Sequence, residues 1–175
     1  MEEYSEEKTV FDFENDDIIL SVWIDKYADD PVYIEEHDVP DDEHIRRNGL
    51  ACGRNYSFKD GRGWGCMFGH EYMLTSDVVT LKEGVSDFMS GKIKKFGPFP
   101  EKDPYGSDYP FFNLELVRDV EDRIHFSVKV DVSGSGIEYV DGVMSEEKLA
   151  ELSDYYTRIS EWFPVRDEMK SCKNL

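Results

Sequence analysis

Between Arg123 and Val132 the chain alternates without a break. Ile124, Phe126, Val128, Val130 and Val132 are apolar, while Arg123, His125, Ser127, Lys129 and Asp131 are not. Successive side chains of a strand point to opposite faces, so this stretch is a strand with one dry face and one wet face. Such one-sided strands belong to antiparallel sheets. Phe111 to Val117 supplies a partner, with Phe112, Leu114 and Leu116 alternating in the same way. Two further hairpins read similarly. Val10–Phe13 and Ile18–Asp25 flank the turn formers Asn15, Asp16 and Asp17, and Asn55–Phe58 and Trp64–Met73 flank Lys59 to Gly63. The Asp60-Gly61 pair offers the positive φ that a tight turn requires. After the turn Ser133–Gly136, Ile137 to Val140 adds a short edge strand.

Two segments switch to helical spacing. Val78, Leu81, Val85 and Phe88 mark a helix from Val78 to Met89, capped by Asp77 and stopped by Ser90-Gly91. Gly84 costs it about 1 kcal/mol relative to Ala. The last helix is capped by Ser145, carries Glu146 and Glu147 in its first turn, and staples Met144 onto Leu149. Leu149, Leu152, Tyr156, Ile159 and Phe163 line one face, and Pro164 ends it. Residues 96–110, with four prolines and two glycines, read as a loop, and 28–50 as a long acidic loop or insertion. No spacing repeats. The expectation is one α+β domain over 1–175, largely antiparallel hairpins with two main helices packed on them, and flexible ends at 1–8 and 166–175.

Charge is where the composition departs most from an ordinary domain. The chain carries a net −19. Residues 1–48 hold 17 carboxylates against Lys8, Lys26, Arg46 and Arg47, a balance of −13 that leaves −6 for the rest. Asp29, Asp30, Glu35, Glu36, Asp38, Asp41, Asp42 and Glu43 fall within fifteen residues that contain no Lys or Arg. Such a field repels nucleic acid and anionic membranes as direct ligands and speeds capture of basic partners. Cys52, Cys66 and Cys172 form neither a disulfide framework nor a metal spacing, and MEEYSEEKTV lacks the features of a signal peptide. The expected location is the cytoplasm, with reduced thiols.

Catalytic patterns are not found. His125 lies on the polar side of its strand and reads as a solvated or hydrogen-bonded sheet histidine. His37 and His44 sit in the acidic loop at a spacing that acid-rich sequence produces by chance, so no metal is assigned. Cys66 has apolar neighbours and reads as a buried, inert thiol. Gly61-Arg62-Gly63-Trp64-Gly65 lacks the Lys-Ser/Thr of a phosphate loop. No cofactor is expected, and the chain reads as a non-enzyme.

Several of these elements carry a family likeness. The helix from Ser76-Asp77-Val78-Val79-Thr80-Leu81 to Phe88, the aromatic-led strand Tyr109 to Leu116, its partner Ile124–Val132, and the ending Ser145-Glu146-Glu147-Lys148-Leu149 to Trp162-Phe163-Pro164 form the pattern. Over residues 64–165 it resembles the WapI-like immunity proteins of bacterial polymorphic toxin and contact-dependent inhibition systems. The resemblance implies an antidote that neutralises a toxic C-terminal domain, usually a nuclease. A nuclease grips phosphates with basic residues, so the loop residues Asp29, Asp30, Glu35, Glu36, Asp38, Asp41, Asp42 and Glu43 are the expected contacts. Tyr33 joins them as a candidate apolar anchor, as do Tyr27 and Ile34, and each of the three reads equally as core. Two readings compete: a nucleic-acid mimic that sequesters a housekeeping nucleic-acid-binding protein, and an acidic scaffold domain. A metal-dependent enzyme using His37 or His44 is the remaining one.

Overall fold

Residues 9–27, 47–62, 64–102, 112–132 and 136–166 are described by the structure, a computed structural model. They build two four-stranded antiparallel meanders, each followed by a helix. The first contains β1 (Val10–Glu14), β2 (Ile18–Tyr27), β3 (Gly49–Phe58) and β4 (Trp64–Leu74) and leads into α1 (Thr75–Met89). The second contains β5 (Lys95–Phe99), β6 (Phe112–Arg118), β7 (Ile124–Val132) and β8 (Gly136–Met144) and leads into α2 (Glu146–Trp162). In each sheet the strands bond in chain order. The class is the expected α+β, with two antiparallel sheets. Its plan repeats although no spacing in the sequence does.

A single apolar core joins both sheets and both helices. Leu20, Val22 and Leu50 of the first sheet, Leu114, Leu116 and Val128 of the second, and Leu81, Phe88, Leu152 and Ile159 of the helices all belong to it. The Phe13 ring bridges the sheets, 6.4 Å from Phe112 and 5.9 Å from Phe126. The helices pack on one another. Tyr155 on α2 donates its buried hydroxyl to the Thr9 carbonyl at 2.9 Å, which ties the last helix to the first strand.

Several elements depart from the sequence expectation. Residues 95–99 are a strand, not the start of a loop. Pro98 and Pro100 follow cis peptide bonds, and the pairing with β6 is irregular between Phe96 and Phe99. A sheet edge tolerates proline because its outer N–H groups need no partner. Gly97 makes this possible: its φ is +82°, and a Cβ there would collide with the Leu114 carbonyl oxygen. Strand β3 begins at Gly49, not Asn55, because Ala51, Cys52 and Gly53 are too small to display an alternation. Strand β8 runs on to Met144, past Val140. Its inward position at Gly142 is bare since a Cβ would meet the Phe126 ring at 2.7 Å. Helix α1 starts at Thr75, three residues early. Asp77 sits inside its first turn and accepts the Leu74 N–H at 3.1 Å. Burial holds this carboxyl above its ordinary value, against the opposing pull of the Leu74 bond. Ser145 caps α2 as expected, accepting the Lys148 N–H at 3.0 Å.

Candidate functional site: two acidic surfaces

The expected contact residues Asp29, Asp30, Tyr33, Glu35, Glu36, Asp38, Asp41, Asp42 and Glu43 all lie outside the described residues, as do Ile34, His37 and His44. What the structure does describe is the base from which that segment departs. Tyr27 ends β2 and pairs with Leu50 of β3, so the chain leaves and re-enters one antiparallel pair. The Tyr27 hydroxyl donates to the Pro164 carbonyl at 2.7 Å, and its ring meets the Phe163 ring edge-on at 5.4 Å. The Arg166 guanidinium lies over that ring, 3.4 Å from its centre. On the returning side Asn48 is buried. Its Oδ1 accepts the Arg166 N–H at 2.8 Å and the Thr75 hydroxyl at 3.3 Å.

Both flanks of the acidic segment are therefore fastened to the exit of α2, and one of them also to the start of α1. Tyr27, considered above as a partner anchor, is used for this fastening. Arg166, expected to be flexible, is held by it. Residues 167–175 lie outside the described residues. Sequence reasoning missed Asn48 and Arg166, since a lone amide in an acidic stretch and a lone cation after a proline carry no pattern. The pairing exists only in the folded chain.

Among the described residues an acidic surface lies where the sheets meet. Asn15, in the β1–β2 turn, donates its amide to the Asp141 carbonyl at 2.8 Å, and its Cβ lies 3.2 Å from where a Gly142 Cβ would stand. Two shallow basins flank this seam and share Phe126 and Val143. One of about 380 Å³ includes Glu115, His125 and Asp141, and the other of about 290 Å³ includes Asp12, Glu14 and Lys148.

His125 is hydrogen-bonded on the outer face of its strand, as expected: its Nε2 lies 2.7 Å from Asp119 Oδ2. Asp119 also accepts the N–H groups of Glu121 (2.8 Å) and Arg123 (3.0 Å) and the Arg123 Nε at 2.8 Å. This carboxylate closes the β6–β7 turn, and the His125 bond above all holds it far below the usual carboxylate range. An aspartate orienting a histidine is part of a hydrolytic relay. Among the described residues no serine or cysteine donates to His125, and the Asp119 carboxylate caps three N–H groups of the β6–β7 turn. Cys66 and His70 fall in β4 with side chains outside the described residues, and the described residues contain no group of three metal-ligating side chains. No helix among them is long and apolar enough to cross a membrane.

In comparisons with known proteins, no family model matches the chain, and no curated protein matches it in sequence.

Proposed function

We propose that the chain is an immunity protein, a non-catalytic inhibitor that binds a basic toxin domain of the nuclease class and covers its active site with acidic surface. The observation that carries this reading is the run from Asp29 to Glu43, eight carboxylates with no Lys or Arg, between two anchored flanks. A nuclease site must attract phosphates, so its potential is positive and a dense carboxylate field competes for it. Complementary charge raises association rates to as much as about 10⁸–10⁹ M⁻¹s⁻¹ at low salt. A rapid antidote needs such rates, and it acts in the cytoplasm, where the toxin's substrate lies. Anchored flanks also reduce the entropy lost on binding, which favours slow release.

Co-expression tests the proposal. The chain should rescue cells from the toxin domain encoded by the adjacent gene. Replacing Asp29, Asp30, Glu35 and Glu36 by lysine should abolish rescue while leaving the fold intact. Full rescue by that variant would count against the acidic segment as the contact.

A further inference from the structure

From the seam between the sheets we infer a second docking groove, one that receives an arginine- or lysine-bearing segment of a protein partner with an apolar side chain between its cations. Val143 stands between the two basins and is 61% exposed, with Tyr139 on the same strand 57% exposed and Val10 on β1 41% exposed. These are three of the six large apolar side chains exposed among the described residues, and all three lie on the strands that meet at the seam. Around them carboxylates outnumber cations: Lys148, in one basin, pairs with Glu151 at 3.1 Å and lies over the Phe11 ring, and Lys129 stands opposite Tyr139. Glu115 and Glu14 are matched by Lys95 and Lys59 at 2.8 and 3.1 Å. Among the described residues Asp141 of one basin forms no ion pair, nor do Asp16 and Asp17 in the β1–β2 turn, and Asp12 of the other basin accepts the Ser21 hydroxyl at 2.6 Å. Apolar anchors inside a polar rim form the layout of a protein contact.

The occupant follows from charge. A second copy would bring its own −19 against this rim, and nucleic acid would bring phosphates. A cationic segment gains on both counts: its side chains meet the uncompensated carboxylates while its apolar side chain covers Val143. The groove deepens the immunity reading by giving the basic partner a second contact, on β1 and β8, yet it stands on observations independent of residues 29–43.

The probe is the peptide acetyl-Arg-Leu-Arg-Val-Arg-Leu-Arg-amide, titrated into the isotope-labelled full chain and followed by amide shifts. The expected result is shifts centred on Asp12, Asp141, Gly142 and Val143. Asp141→Lys and Val143→Ser should each weaken binding about tenfold, the size of one lost central contact of about 1.4 kcal/mol. Val120→Ser, in the β6–β7 turn, should leave it unchanged. Thermal melts of each variant establish that it is folded. Shifts confined to residues 29–43, or equal binding by Asp141→Lys, would overturn the groove and leave the immunity proposal standing. Seam binding together with no toxin rescue by the wild-type chain would do the opposite.

Discussion

Exchanging a helical glycine for alanine ordinarily stabilises a protein by about 1 kcal/mol, because glycine loses more backbone freedom on folding. At Gly84 the new Cβ would overlap the Phe96 ring, which packs from β5 directly onto α1. Overpacking of that kind costs about 1–3 kcal/mol. Gly84→Ala is therefore expected to lower stability by up to about 2 kcal/mol, read as a fall in Tm by calorimetry, and a rise would show that the ring moves aside freely. The sequence revealed the cost of Gly84 but not its cause, since Phe96 lies twelve residues away in what reads as a proline loop. Asp119 supports a second expectation. Folding depresses its carboxyl below the ordinary 3.8, with the His125 bond as the largest cause. A depressed value means that the ionised form is favoured by folding. The stabilisation is complete above the unfolded value and is lost as pH falls below about 4. Urea midpoints measured from pH 3 to 7 should fall on the acid side for the wild type. Asp119→Asn should be less stable at pH 7 and should have a flatter acid limb.

Whole elements were legible where side chains display their own period. Strands β1, β2, β6 and β7 alternate large apolar and polar residues, and α2 carries a cap, a staple and a stripe. Strand β5 was hidden by prolines that only an edge admits. The first half of β3 and the second half of β8 were hidden by small residues at inward positions, where a neighbouring ring or strand fills the space. Packing between elements supplies that information, so no local pattern holds it. The same is true of the fastening at Asn48, which joins β3, α1 and the exit of α2. Asn48→Ala removes the acceptor for the Thr75 hydroxyl and the Arg166 N–H in a buried place. That change should cost about 1–3 kcal/mol, and hydrogen exchange at the Arg166 amide should accelerate with it. Unchanged protection at Arg166 would show that the Tyr27 contacts alone hold this end. At the other end of the core, Arg118 reaches from β6 to α2, its guanidinium 2.6 Å and 3.2 Å from the two Glu146 carboxylate oxygens and 5.2 Å from the Phe88 ring of α1. Only 6% of its side chain is exposed, whereas Glu146 is 58% exposed. Solvent weakens the pair, so Arg118→Met should cost about 1–2 kcal/mol, less than a fully buried bridge.

At the scale of the molecule, the repeated meander and helix form a hydrophobic scaffold, and the charge is distributed over it unevenly. That unevenness could be counted in the sequence. The seam could not, because Asp12, Asp141 and Val143 are brought together only when β1 comes to lie beside β8. A net charge of −19 repels itself in the folded state, so raising sodium chloride from 10 to 300 mM should raise Tm at pH 7. A Tm that falls would mean that the ion pairs on this surface outweigh the repulsion. The central claim is that the negative potential gathered before residue 50 captures a basic partner, and stopped-flow association with the toxin domain tests it directly. The rate constant for the wild type should drop at least tenfold between 50 and 500 mM salt, and the 29–43 charge reversal should abolish that dependence. A wild-type rate indifferent to salt would contradict the claim.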